Sequence, residues 1–190
     1  MIQKRKLRAK MRKARRAHEV ALPEATRGLM FLRPPTRIAD LAPVGSVVGI
    51  YHAVAPEAPT LAYAQWFYEN GRRLALPWFE HRDTAMQFRF WRDPWDDALL
   101  EPGPYGGLQP HADAEEIVPD LTIVPLLAFT ADGHRLGQGG GHYDRWHAAH
   151  PLVPAIGLAW DCQRVDTLPL EPHDHALSAV ITPTRLYEGA

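Results

Sequence analysis

The order of elements along this chain predicts an α/β protein with a mostly parallel sheet covered by helices on both faces. Three observations carry that expectation. Short apolar runs bounded by turn residues, such as Val47–Tyr51, Leu121–Phe129 and Pro154–Trp160, read as buried strands. Helical patterns fall between them, at Lys4–Val20, Thr60–Asn70 and Tyr143–His150. Strands that alternate with helices pair in parallel through crossover connections. With 46% hydrophobic residues the chain can bury a core, and 190 residues suit a single domain spanning 1–190.

The opening segment Lys4–Val20 is rich in Ala, Arg, Lys and Met, all good helix formers. Leu7, Met11 and Ala14 make a thin apolar stripe along it, and Lys4 and Arg8, four apart, share a face. Pro23 suits the first turn of a second helix reaching about Leu32, which Pro34-Pro35 ends. Val47–Tyr51 follows as a strand, then a loop from His52 to Pro59 that carries Glu57. The helix from Thr60 to Asn70 sets Leu61, Ala64, Phe67 and Tyr68 on one face and stops at Asn70-Gly71. Arg73–Pro77 and the alternating Met86–Trp91 predict two more strands. Residues 93–120, dense in Pro, Gly and acids, predict an irregular loop. Leu121–Phe129 is the expected central strand, and Asp132-Gly133 has turn chemistry. After Pro154–Trp160, a polar loop at Pro169–His175 leads to a last short strand at Ala179–Thr182.

The formal charge of −1 conceals an asymmetry. Residues 1–16 carry nine Lys or Arg and no acid, whereas the remainder carries twelve basic and twenty-two acidic residues. A basic arm can bind nucleic acid, a membrane surface or a phosphorylated ligand. Arg-rich, acid-poor N-termini also mark transit peptides, but this segment has none of their Ser or Thr. An acidic body opposes a nucleic-acid backbone, and a helix laid over a phosphate site reconciles arm with body. No apolar run approaches a membrane span, and no signal-peptide core is present, so a cytoplasmic protein is expected. The single cysteine, Cys162, excludes an internal disulfide and reads as structural.

The stretch with the clearest chemistry is Arg135–Asp144, RLGQGGGHYD. Gly137, Gly139, Gly140 and Gly141 fall within five residues, between an apolar run and a helix that Pro151 stops. Glycines admit a ligand close to the backbone, and N–H groups at a helix start point at anions. Arg135 can add a fixed charge for phosphate, and Asp144 could hold the Mg²⁺ that accompanies a nucleotide. Ten histidines invite a zinc reading, but His147/His150 and His173-Asp174-His175 lie far apart without an HExxH-type spacing, so solvated surface histidines are expected. The six tryptophans read as core and loop packing.

Taken in order, these segments resemble the 5-formyltetrahydrofolate cyclo-ligase family, also called methenyltetrahydrofolate synthetases. Asp120–Arg145 is similar to the family's strand and RLG-x-G-x-GYYD loop, and Lys4, Arg5, Lys6, Leu7 and Arg8 to its KR-x-LR nucleotide segment. Tyr51-His52 with Glu57 resembles its folate-binding strand and loop, Leu76-Pro77 a following strand end, and Glu171–Asp174 its C-terminal acidic segment. The resemblance implies a three-layer α/β/α fold of the NagB/RpiA/CoA-transferase kind. It implies ATP- and Mg²⁺-dependent closure of 5-formyltetrahydrofolate to 5,10-methenyltetrahydrofolate, with release of ADP and phosphate, by a cytoplasmic monomer. Lys4–Arg8 and Arg135, Leu136, Gly137, Gln138, Gly139, Gly140, Gly141, His142 and Tyr143 would bind the nucleotide. Tyr143 and Arg135 would serve catalysis, Tyr51 and Glu57 would bind folate, and Asp144 and Asp174 would hold Mg²⁺. The small-molecule folate would be the partner, with no nucleic acid and no membrane.

The chain departs from the family pattern at three places. His142 stands where the family has the first Tyr of Tyr-Tyr-Asp, and a cationic His142 would alter the charge beside the phosphates. Gln109 stands where a Glu is usual, and Ser178 where an Asp is frequent. A sugar-phosphate isomerase or CoA transferase on the same fold is the competing enzyme class. The pairing of the Lys4–Arg8 segment with the Gly-rich loop favours the ATP-using chemistry.

Overall fold

A computed structural model of the chain describes residues 2–27, 29–171 and 174–189. Helix α1 (Ile2–Ala21) is followed by the short α2 (Glu24–Arg27) and α3 (Thr36–Ala39). Next come β1 (Val47–Gly49), α4 (Leu61–Glu69), β2 (Arg73–Trp78), β3 (Gln87–Trp91), β4 (Leu100–Pro102) and β5 (Leu108–Pro110). Then follow β6 (Leu121–Pro125), β7 (Ala128–Phe129), β8 (Arg135–Leu136), α5 (His142–Ala149), β9 (Ala155–Leu158), β10 (Ala179–Ile181) and β11 (Leu186–Glu188).

Seven strands form one sheet in the order β11-β10-β9-β6-β1-β2-β3, and β4–β5 and β7–β8 form separate ribbons. Strand β1 runs parallel to β2 and β6, and β9 to β10, whereas β3 and β11 at the edges are antiparallel to their neighbours. The expected α/β class with a mostly parallel sheet is present. No helix among the described residues is long and apolar enough to cross a membrane.

The chain separates into two compact units, residues 1–30, 56–58 and 124–190 in one and residues 31–55 and 59–123 in the other. In the first, Val124, Leu126, Phe129, Ala155, Ala159, Leu177 and Val180 form a fully enclosed core, with Tyr143 and Tyr187 packed against it. A second cluster joins Met11 to Leu127, Ala128 and Leu136, with Leu7, Val165 and Leu168 at its border. The thin stripe of α1 is therefore what docks it on the β7–β8 ribbon. Burying an aliphatic side chain contributes about 1.5–3 kcal/mol, so this contact anchors a helix whose other faces are largely charged. In the second unit, Tyr63, Ala64 and Phe67 form the buried face of α4. Asn70 caps that helix and Gly71 takes φ +79°, as the Asn-Gly pair implies.

Four expectations need correction. The run Leu121–Phe129 is not one strand: β6 ends at Pro125, which has no N–H to continue the ladder. The Leu127 N–H instead donates to Leu136 O at 2.7 Å, and the chain turns back as the β7–β8 ribbon. The helix expected from Pro23 to Leu32 is only α2, and Phe31 adopts φ +56°, which no α-helix accommodates. Within 93–120 the structure has a 3-10 turn at Asp97–Leu99 and the β4–β5 ribbon. Strand β11 was not expected at all. Strands of three residues are too short to display alternation.

Gly133 closes the β7–β8 turn at φ +90°, and a Cβ placed there would lie 2.5 Å from Leu177 O and 2.9 Å from Gly189 Cα. Both neighbours are backbone and cannot rotate away. Gly133→Ala should therefore lose about 2–4 kcal/mol of unfolding free energy in urea. A loss below about 0.5 kcal/mol, the range of an ordinary surface change, would show that the turn opens without resistance.

Candidate active site

The Gly-rich loop leaves β8 and enters α5, all within the first unit. Gly141 is the N-cap of α5 in the left-handed region, at φ 66° and ψ 15°. No side chain caps this helix, whose start carries the partial positive charge of its dipole.

Helix α1 lies over the loop. Arg8 Nε donates to Gly137 O at 3.0 Å, and Arg12 Nη2 to Gln138 O at 3.2 Å. A Cβ on Gly139, which has φ +114°, would lie 3.4 Å from Arg8 Cζ. Lys4 Nζ bonds Asp174 Oδ2 at 2.7 Å and Oδ1 at 3.1 Å, and pairs with Glu171 Oε2 at 3.0 Å. Burial works against the Lys4 charge, but the two carboxylates outweigh it and raise the pKa above the ordinary lysine value. Lys4, Arg8 and Arg12 recur every four residues and so share a face. Arg15 continues the row, its Nη1 donating to Leu126 O at 3.3 Å. Arg12 and Arg15 were not among the sequence candidates, although their spacings of four and seven from Arg8 were there to be read. Arg5 and Lys6, which were candidates, are exposed. Leu7 contributes packing and not polarity.

Arg135 does not reach toward the open side of the loop as its position before the glycines suggested. Its side chain is 4% exposed, and Nη2 pairs with Asp144 Oδ1 at 2.6 Å. Nη1 donates to His175 O at 3.3 Å, and the His175 N–H approaches Asp144 Oδ1 at 3.5 Å. Burial lowers the Arg135 pKa, and Asp144 opposes that shift. Leu136 is core. Tyr143 is partly buried against the core, and burial of its hydroxyl first, then the Glu57 carboxylate, push its phenol pKa far above the ordinary value, so it remains a neutral hydroxyl. Glu57 thus acts on Tyr143 within this unit. Tyr51 belongs to the other unit, where it is buried and its carbonyl accepts the Thr60 hydroxyl at 2.6 Å.

Both proposed metal carboxylates already face a cation. The bonds of Asp144 go to Oδ1, and Oδ2 accepts none from the described residues. Among the described residues, no three His, Cys, Asp or Glu side chains gather as a metal cage. That donor set fits Mg²⁺, which takes one or two carboxylates and completes its shell with water and phosphate oxygens.

The histidines differ from expectation. His147 is wholly buried, not solvated, and its ring stacks on His175 with centroids 4.8 Å apart and planes 10° from parallel. Burial, then the Arg135 charge, lowers its pKa to about 3. His150 stacks on Trp146 at 4.1 Å and its Nδ1 lies 2.8 Å from Trp146 O. Pro172 and His173 lie outside the described residues. His142 Nδ1 meets Arg145 Nη2 at 3.1 Å, and burial and that guanidinium both lower its pKa, so it is not the cation envisaged at this position. Gln109 is buried and bridges Phe79 on both sides, accepting from its N–H at 3.2 Å and donating to its carbonyl at 3.1 Å. One donor and one acceptor are needed there, which an ionised glutamate could not supply. Burial raises the Cys162 thiol pKa, in keeping with a structural role.

A sequence model of the 5-formyltetrahydrofolate cyclo-ligase family matches residues 1–183. The 5-formyltetrahydrofolate cyclo-ligase of Escherichia coli is 42% identical over 164 residues, covering 80% of this chain and 87% of that one. That of Mycolicibacterium smegmatis is 34% identical over 152 residues, covering 74% and 75%. Among solved structures, the 5,10-methenyltetrahydrofolate synthetase of Aquifex aeolicus aligns with a TM-score of 0.68 at 24% identity, over 96% of this chain and 92% of its own. The synthetase of Mycoplasma pneumoniae aligns with a TM-score of 0.66 at 22% identity, over 94% and 97%. These two likenesses show the fold.

The buried state of His147 sets a pH dependence. In the unfolded chain the imidazole takes a proton near pH 6.5, whereas in the folded chain it does so only near pH 3. The unfolded state therefore holds the extra proton across that window, and stability falls as pH drops from about 6.5 toward 3. His147→Leu, with nothing to titrate, should flatten the decline of melting temperature between about pH 6 and pH 4. An unchanged slope would assign the decline to other groups.

Proposed function

The chain belongs to the 5-formyltetrahydrofolate cyclo-ligase family; it is a folate cyclo-ligase that forms 5,10-methenyltetrahydrofolate, and we propose that it does so with MgATP bound at the loop of residues 137–141. The observation that supports this placement is the row of α1 cations on that loop, Arg8 at Gly137 and Arg12 at Gln138. Arginines fixed beside a glycine loop that opens a helix make an anion receptor. The folate is the small-molecule substrate, ADP and phosphate are released, and the enzyme works as a cytoplasmic monomer.

The chemistry explains why so much charge is needed. The N5-formyl group is an amide and a poor electrophile. Transfer of the terminal phosphoryl of ATP to the formyl oxygen makes that oxygen a leaving group. The second folate nitrogen then attacks the formyl carbon and gives up its proton to solvent, the C–O bond breaks, and phosphate departs as the ring closes. Positioning and charge neutralisation dominate such phosphoryl transfers. Arg8, Lys4 and the loop N–H groups are the neutralising set. Asp144 through Oδ2, with Asp174, would hold Mg²⁺, which supplies further neutralisation of the phosphates when bound. Arg135 serves catalysis by fixing Asp144. Tyr143, held neutral, is a hydroxyl donor near the reacting group, and Glu57 contacts folate.

Formation of methenyltetrahydrofolate, followed by absorbance, should require both ATP and Mg²⁺. Turnover without either would overturn the reading. Stabilisation against heat by CoA or an oligonucleotide, but not by MgATP, would point to the other classes.

Replacing Lys4 and Arg8 together by Ala should raise the apparent ATP constant tenfold or more, equivalent to about 1.4 kcal/mol per decade. Wild-type ATP dependence in that variant would remove α1 from the nucleotide site.

Asp174→Asn is the cleaner probe of the metal, because Glu171 still neutralises Lys4. It should need more Mg²⁺ while melting near the wild type. Asp144→Asn strips the charge partner from an enclosed Arg135, and breaking such a pair costs about 3–5 kcal/mol. Its loss of stability would mask any effect on the metal.

A further inference from the structure

We propose that His147 is a positioning residue whose ring, stacked on His175, keeps the segment bearing Asp174 in register with the helix bearing Asp144. This rests on the reading that those two carboxylates act together on MgATP.

His147 follows Asp144 by three residues on α5, so the two share a face of the helix. His175 follows Asp174 directly. The two rings lie 4.8 Å apart and nearly parallel. Two backbone contacts also reach His175, at 3.3 Å from Arg135 and 3.5 Å from Asp144, and both are at the long end of hydrogen bonding. From the other side, Lys4 holds Asp174 at 2.7 Å. Further along, the Leu177 N–H donates to Gly133 O at 2.9 Å, and at residue 175 the stack reinforces the two long contacts. The burial of His147 is also not what simple packing favours. An enclosed imidazole must be desolvated, whereas a leucine at the same place would need no polar compensation. The imidazole adds a hydrogen bond with the Val153 backbone and a face-to-face partner for His175.

Four variants test this: His147→Leu, His175→Ala, the pair together, and His175→Phe. The phenylalanine keeps a ring and changes nothing in the enclosed slot of His147. Changes behind metal ligands commonly weaken metal affinity by about 10–100-fold. His147→Leu and His175→Ala should each raise the Mg²⁺ concentration for half-maximal rate roughly tenfold, with kcat at saturating Mg²⁺ changing much less. The double variant should be no worse than either single, because both remove one interaction. His175→Phe should restore the wild-type requirement. Amide hydrogen exchange over residues 174–177, followed without nucleotide or metal, should quicken in His147→Leu and not in His175→Phe.

A lower melting temperature with wild-type Mg²⁺ requirement and wild-type exchange would reduce His147 to packing and overturn the proposal. So would additive effects in the double variant, or a phenylalanine as impaired as the alanine. If Asp174→Asn kept the wild-type Mg²⁺ requirement while exchange still quickened in His147→Leu, the metal assignment would fail and the positioning by the stack would stand.

Discussion

An arginine with almost no exposed surface must keep its carboxylate, and the geometry of the loop follows from that requirement. Arg135 lies in β8 and Asp144 in the first turn of α5, and their 2.6 Å contact pins both ends of the glycine segment between them. Removing either charge would strand the other in a low-dielectric surround, at a cost larger than the net gain from the intact pair. The pair therefore adds little to stability by being present and much to shape by being unbreakable. The glycines can then be flexible in sequence yet fixed at their ends, with the start of α5 held in place behind them.

The same arrangement explains what the long basic helix does. Its charge alone would leave it in solvent, where screening makes surface ion pairs worth little. Leu7 and Met11 give it an apolar anchor on the ribbon that contains Arg135, and the anchored helix then delivers Lys4, Arg8 and Arg12 to fixed partners. Hydrophobic burial sets the position, and the cations act from it. Lys4 between Asp174 and Glu171 ties α1 to the last acidic segment, so one helix touches both ends of the proposed phosphate site.

The second unit shows the same economy at Gln109. A departure from the family pattern that looked like a lost functional group is a buried amide matched to the N–H and the carbonyl of Phe79. Its two-sided bonding accounts for an amide at that place without reference to substrate.

Much of this was legible in the order of residues. The helices of Lys4–Val20, Thr60–Asn70 and Tyr143–His150 carried caps, periodicity and stops, which are local properties that the chain determines by itself. So did the turn at Asp132-Gly133 and the glycine loop, because only glycine accepts those backbone angles freely. The succession of motifs from Lys4 to Asp174 was sufficient to recognise the family. What the sequence could not determine was which charge meets which. Arg135 next to glycines reads as a phosphate ligand, and only the fold brings Asp144 and His175 O onto it. His147 reads as a surface histidine, because nothing within α5 shows that residue 175 returns to cover it. Pairing across 28 residues is decided by how the ribbon, the helix and the C-terminal segment pack, and desolvation at that packing then sets which groups stay charged.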